Sequence, residues 1–482
     1  MVAEWIRDEV MGVDLKDKRL NARFAIVLDQ LAGQPSASIP ASCNGHAEMV
    51  AAYRFLENDK FDFEDLLQPH IDATYRRIEK HSVVLFAQDT TEIDCTRPNK
   101  QVAGAGPLDG NSRLGILLHP MMAFALDGTP LGAVYAETWS RDDEPPPSKA
   151  ERDKIRKHTS YEEKESFRWL AAYRELNAQA GHCPDTKFIC IADSEADIYE
   201  LFEAAQTESG RAELLVRACQ NRALRKEDDG QSAGCLRERV LIEDVLYTDT
   251  IDVRSRSPKI KSDKRRRRKA RKPRSTKVEV RAARITLRPP WRNDKKLEAV
   301  AMNVVLVMEV DPPGGEPPIE WILLTTLPVG DVEQVKTIVR YYHVRWLIEI
   351  YFKTLKSGCR IEQRRFETAE RIYRCLAIHM IIAWRTLYVC RLGRELPEMN
   401  CDALFDESEW KSVYHVVQQE PPPKLPPPLR IIIRIIAQLG GYASVNPNDN
   451  PGPITICRGL ERTHDMATCW LSFGPGAKTC VE

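Results

Sequence analysis

The sequence carries thirteen cysteines but no CxxC pair, and they are scattered from Cys43 to Cys480. In a chain of this length that excludes a disulfide framework, and the thiols read as small buried hydrophobes of a reducing compartment. Its ten histidines form no HExxH, and no Cys/His cluster has zinc spacing, so a zinc site is not expected. No GxxxxGK[ST] occurs, which removes P-loop nucleotide hydrolysis, and Gly104-Ala-Gly106 lacks GxGxxG spacing and reads as a loop. The longest apolar stretches, around Ala299–Val310 and Cys375–Cys390, are interrupted or too short to span a bilayer. The opening residues lack the basic region, apolar core and cleavage site of a signal peptide, so a cytoplasmic protein without membrane association is expected. Net charge is also lacking: seventy Lys and Arg cancel seventy Asp and Glu. Only the local distribution of charge can point to partners.

What is present is a long chain with a composition suited to a core. At 482 residues it suggests three domains on a prior of roughly 150 residues each. With 43% hydrophobic and 29% charged residues it is not a disordered chain. The first seventy or so residues show helical spacing, in Asp17–Phe24 and Ala47–Glu57, and no strand alternation. The texture then changes. Ser82–Gln88 reads as a buried strand ending at Asp89-Thr-Thr, and Gly115–Phe124 and Leu131–Trp139 flank Asp127-Gly128, a hairpin signal. Glu162–Asn177 reads as a helix, and Lys187–Ala192 as a second buried strand ending in Asp193. A helix opening with Ser194-Glu-Ala-Asp follows, and its carboxylates Glu195 and Asp197 are assigned to the helix dipole. Ala212–Arg217 and Trp321–Thr326 are further strands, and a long helix is expected from about Val332 to Gly358. The rest is helical to about Leu392, then broken by the Pro421–Pro428 linker. Such a pattern makes an α/β domain with a mixed sheet, and open α/β sheets place their chemistry at strand ends, which directs attention to Asp89 and Asp193.

The neutral total hides a concentrated cationic segment. From Arg254 to Lys277 there are fourteen Lys and Arg against one acid, Asp263. This run is either a solvated loop or a grip on DNA phosphates of the salt-dependent, sequence-blind kind; the second reading is preferred, without roles for single residues. Arg19 and Arg23, one turn apart, could also contact DNA, although any surface helix offers such a pair.

The segment from Tyr342 to Lys356 carries the sharpest pattern. At about 100° per residue with Tyr342 at zero, Arg345, Glu349, Lys353 and Lys356 fall within a sector roughly 80° wide. Leu347, Ile348, Ile350, Tyr351, Phe352 and Leu355 cover most of the remainder. A helix enclosed by apolar contacts with a narrow charged seam points that seam at a cleft; the plainer alternative is a salt-bridged surface stripe. Two strand-end aspartates joined by a helix glutamate form a hard-oxygen cage for Mg²⁺. Two such ions can serve an in-line displacement.

These residues resemble a known family. The spacing Tyr342-x-x-Arg345-x-x-x-Glu349-x-x-x-x-x-x-Lys356 is similar to the YREK motif of cut-and-paste DDE transposases of the bacterial IS-four group. Phe86-Ala-Gln-Asp89-Thr-Thr resembles the strand of the first acid, and Ile191-Ala-Asp193-Ser-Glu-Ala-Asp-Ile that of the second. Glu163–Ala172, Asp311–Glu316, Trp321–Thr326, Ala52–Leu56 and Ile436–Tyr442 add ordered pieces; Leu347 and Tyr351 depart from the family's more polar helix, and Asp449–Glu482 matches least. The resemblance implies an RNase H-like mixed-sheet catalytic core with a β-rich insertion, between an N-terminal and a C-terminal helical domain. The implied boundaries are 1–75 for DNA-end binding and 76–392 for catalysis, with the insertion at 218–320. Residues 393–482 would serve dimerisation.

Asp89, Asp193 and Glu349 would be the catalytic, metal-binding triad, holding two Mg²⁺ ions with Mn²⁺ as a substitute. Tyr342, Arg345, Lys356 and Arg217 would contact DNA, and Trp321 would stack on a flipped base. The implied activity is strand cleavage at transposon ends through a hairpin, followed by transfer into target DNA. The implied partners are double-stranded DNA and a second copy of the chain in a synaptic homodimer, in a bacterial, nucleoid-associated setting with no nucleotide cofactor. A non-transposing RNase H-like nuclease and an inactive DNA-binding relative are the alternatives.

Overall fold

The structure, a computed structural model, describes residues 2–109, 112–142, 159–208, 210, 212–225, 234–253, 255, 271–292, 295–314, 316–444, 446 and 449–475. The basic run from Arg254 to Lys277 lies outside the described residues except for Ser255 and residues 271–277. The chain divides into two compact units, Met1–Pro146 with Trp346–Glu482, and Pro147–Arg345.

The first unit begins with helices at Glu4–Glu9, Lys18–Gly33, Ile39–Ser42, His46–Glu57 and Phe63–Ile78. Lys18–Gly33 starts where the Asp17 side chain accepts the Arg19 N–H, and it buries Phe24, Val27, Leu28 and Leu31, one stripe at helical spacing. Phe63–Ile78 opens with a reciprocal capping box between Asp62 and Asp65. Two arginines from later in the chain hold this region by its backbone. Arg364, 5% exposed, donates to the carbonyls of Pro35 and Ala37 and to His379 Nε2 at 2.9 Å. Arg374 donates to Phe61 O at 3.0 Å and Leu56 O at 3.2 Å.

Strand β1 (Val83–Gln88) is apolar because nearly every side chain is buried. β2 (Thr91–Asp94) and the short β3 (Gly106–Pro107) join it on β4 (Leu114–Phe124), and β5 (Pro130–Trp139) also pairs with β4; all of these pairings are antiparallel. The expected hairpin is present between β4 and β5. Gly128 takes φ +86°, which L side chains resist, and Asp127 Oδ1 accepts the Thr129 N–H at 2.8 Å.

The apolar run near Cys375–Cys390 belongs to a 27-residue helix, Ala369–Glu395. It is long and apolar enough to cross a membrane, which revises the expectation that the run is too short, but 89% of its most apolar window is buried inside the protein. Trp384 Nε1 donates to Pro130 O at 2.9 Å, tying this helix to the β4–β5 hairpin.

Beyond it, helices Glu407–Gln418, Leu429–Leu439 and Pro453–Phe473 close on a cluster that includes Val413, Ile432, Ile436 and Ile456. The last two helices touch through their backbones: a Cβ at Gly459 would lie 1.9 Å from Ile436 O, and one at Gly440 would lie 2.0 Å from Thr455 O. Gly459→Ala is therefore expected to destabilise the protein by about 1–3 kcal/mol through overpacking. Urea unfolding checks this, and an unchanged midpoint would refute so tight an approach.

In the second unit, β6 (Lys187–Ala192) and β7 (Glu213–Arg217) run parallel. β11 (Glu320–Thr325), β10 (Val300–Glu309), β9 (Arg274–Leu287) and β8 (Tyr247–Val253) continue the order β6-β7-β11-β10-β9-β8 in antiparallel fashion. The sheet is mixed, as expected; helix Tyr199–Thr207 connects its parallel strands β6 and β7, and helix Arg168–Gln179 precedes β6.

Glu309 on β10 is buried and accepts from Arg274, Thr276 and the Ile319 N–H. The Arg274 hydrogen bonds chiefly pull its carboxyl down to about 2. A depressed carboxyl contributes stability above its ordinary range and loses it as pH falls toward its folded value. Glu309→Gln is thus expected to lower the melting temperature at neutral pH and to flatten its fall between about pH 4.5 and 2. Equal pH slopes for the two proteins would exclude this account.

Candidate active site

Asp89 follows directly on β1, and its carboxylate accepts the Thr90 N–H at 2.8 Å. The segment is anchored by a short hydrogen-bond relay. Thr90 Oγ1 meets His119 Nδ1 at 2.9 Å, and His119 Nε2 meets Gln88 Oε1 at 3.1 Å. Because an amide oxygen only accepts, His119 donates to Gln88 through Nε2–H. Buried His119 and Gln88 on adjacent strands thereby fix the turn that presents Asp89.

Glu349 lies on the short helix Leu347–Lys353, which packs on β1. Ile348, Tyr351 and Phe352 are buried, and the Tyr351 hydroxyl donates to Met380 O at 3.2 Å. The apolar surround expected for this segment is therefore real, and Tyr351 seats the helix. The expected single helix from Val332 to Gly358 is broken, however. Val332–Val344 ends in a turn at Arg345–Trp346, and after Lys353 the backbone widens into a π-turn at Thr354–Gly358. Cys359 N–H reaches Thr354 O at 2.9 Å, one residue beyond the α spacing. A constant 100° per residue does not carry through these joints, so the wheel that grouped Tyr342 with Lys356 holds only piecewise. Lys353 is exposed and Lys356 half-buried.

The second unit brings five of the predicted residues together. Burial chiefly raises the Tyr342 phenol; nearby Arg345, which also hydrogen-bonds it, and Arg217 act in the opposite direction, and Asp193 adds to the rise. Arg217 closes β7 opposite Leu323 and donates to Glu320 O at 3.3 Å. Trp321 on β11 is half-buried, with its ring 5.4 Å from His343 edge-on and 6.3 Å from Tyr342. A strand-end acid, two guanidiniums, a phenol and an indole thus share one corner. Such a set can bind a phosphate and a base edge.

Asp193 caps a single 3₁₀ turn, Ser194–Ala196, by accepting the Glu195 N–H at 2.8 Å. The expected helix begins only at Tyr199. The dipole assignment for its neighbours is revised by their partners. Asp197 is 4% exposed, binds Arg222 at 2.6 Å and accepts the N–H groups of Cys219 and Gln220 at 2.8 Å, while Glu195 pairs with Arg168 at 3.3 Å. Arg19 and Arg23 pair with Asp17 at 3.2 Å and Glu48 at 2.5 Å. Trp346 was not singled out in the sequence, yet its side chain is 43% exposed at the head of the Glu349 helix. At about 40° on the same wheel it adjoins the charged sector, the signal that marks it.

Asp89, Asp193 and Glu349 offer oxygen donors only, the chemistry that suits a hard divalent ion. Among the described residues, no group of three or more His, Cys, Asp or Glu side chains is placed to hold a metal ion.

Three family models match the chain in order: Transposase DNA-binding over residues 2–61, Transposase DDE domain over 165–385, and Transposase Tn5 dimerisation domain over 381–468. The last extends well into Asp449–Glu482, the tail with the weakest resemblance in sequence. A solved structure titled as a cryo-EM structure of the piggyBac transposase synaptic complex with hairpin DNA is similar at 8% identity and a TM-score of 0.37, covering 82% of this chain and 72% of that one. With the DDE match, the mixed α/β core between N- and C-terminal helical regions is of the RNase H-like kind. The chain is a DDE transposase, similar to the Tn5/IS4 family.

Proposed function

We propose that this transposase works by cut-and-paste, cleaving DNA at the ends of its element through a hairpin and joining the freed ends to target DNA. The observation that carries the reading is Asp89 at the end of the buried β1, with the Glu349 helix packed on that strand. The proposed triad is Asp89, Asp193 and Glu349. Mg²⁺ bound by these carboxylates, with Mn²⁺ as a substitute, would supply Lewis acidity and a more acidic water.

Arg345, Tyr342, Arg217 and Lys356 bind the phosphates flanking the scissile bond, and the cations offset its charge. Trp321 offers a face to a base turned out of the stack, offsetting part of the unstacking cost of a few kcal/mol. The reaction begins with hydrolysis of one strand. The released 3′-hydroxyl attacks the opposite strand and closes a hairpin, water opens it, and the renewed 3′-hydroxyl attacks target DNA. Each step exchanges one phosphodiester oxygen for another, so no nucleotide is consumed.

The reading divides the chain at 1–75, 76–392 and 393–482, with an insertion at 218–320. It places the protein in the cytoplasm as a homodimer in the synaptic complex. The test is incubation of the purified chain with Mg²⁺ and DNA bearing the sequences that flank its gene. Hairpin-ended, flank-free fragments support the proposal. Open or random cuts make the protein a plain nuclease, and binding without cutting makes it an inactive relative.

A further inference from the structure

Lys356 stands on the π-turn, half-buried among charges from three other places in the first unit. Glu362, on the 3₁₀ turn Ile361–Gln363, faces it with Oε1 at 3.8 Å from Nζ. Glu92 and Asp94 face it from β2, and Arg113 from the residue before β4. Arg113 pairs with Glu92 at 2.6 Å and with Asp94 at 3.6 Å. Glu362 is itself anchored, because its Oε1 accepts the Asp94 backbone N–H at 3.1 Å.

We propose that Glu362 is the positioning residue for Lys356, holding the ammonium on a carboxylate pinned to β2 until a DNA phosphate takes it. The inference rests on Lys356 being a DNA contact, as read above. A lysine side chain has many rotamers, and ordering it in advance spares part of that entropy on binding. At 3.8 Å the pair is loose, so the ammonium keeps protons for a phosphate.

Charge enters as well as placement. Burial chiefly pulls the Lys356 ammonium below its ordinary range, and Glu362 is the largest influence keeping it protonated, ahead of Glu92; Arg113 pushes it down and Asp94 up. Losing the Glu362 charge would therefore let Lys356 shed its proton at lower pH. Glu362→Gln makes that change alone, because an amide oxygen still accepts the Asp94 N–H.

The experiment follows the nicking rate of a labelled duplex carrying the gene-flanking sequences, with Mg²⁺, from neutral to alkaline pH. The variants are Glu362→Gln, Glu362→Asp and Lys356→Met. The expected result is that Glu362→Gln moves the alkaline limb down by about one pH unit, with a modest loss at neutral pH, and that Glu362→Asp restores most of it. Titration of the Lys356 Nζ resonance in the free protein is expected to shift the same way, which reads the effect without catalysis. An alkaline limb and a resonance that both stay in place overturn the inference. If Lys356→Met instead cuts like the parent, the failure lies with the reading of Lys356 as a DNA contact.

Discussion

Glu349→Gln is expected to remove DNA cleavage by on the order of 10³-fold or more, while binding of the same duplex persists. The exchange keeps the shape of a side chain whose helix is seated by Ile348, Tyr351 and Phe352. What changes is one carboxylate of the proposed triad, and a neutral amide is a far poorer partner for a divalent cation. Asp193→Asn is expected to do the same, since its cap to the Glu195 N–H survives in an asparagine. Cleavage assays beside gel-shift binding separate catalysis from affinity. A variant that cuts at near-parental rate removes that residue from the triad.

Trp321→Ala should slow hairpin formation more than first-strand nicking. Stacking of a base on an aromatic ring is worth about 1–3 kcal/mol, which corresponds to roughly 5- to 150-fold. The half-buried indole is braced edge-on by His343, so its orientation is set before any base arrives. Nicking needs no extruded base and should fall much less. Single-turnover measurement of both steps decides the matter, and equal slowing of the two would make Trp321 a packing residue.

Much of this was legible in the sequence wherever the governing interactions are local. The strands ending at Asp89 and Asp193 announce themselves as short apolar runs meeting an acid, and the β4–β5 hairpin follows from Asp127-Gly128. What escaped was decided at a distance. Asp197 resembles any first-turn acid until Arg222, twenty-five residues on, closes over it. The break at Arg345–Trp346 is not marked by glycine or proline, and the π-turn after Lys353 coincides with the packing of Thr354 and Leu355 into the interior. Periodicity also cannot tell a core helix from a spanning one, which is why Ala369–Glu395 needed its neighbours to be placed.

The arginine seats under the N-terminal region divide its contacts into two kinds. Arg364 and Arg374 grasp carbonyl oxygens of Pro35, Ala37, Leu56 and Phe61, atoms every amino acid supplies alike. These seats are therefore blind to side-chain identity, unlike the neighbouring Arg371–Glu57 ion pair at 2.9 Å, which an exchange of Glu57 would break.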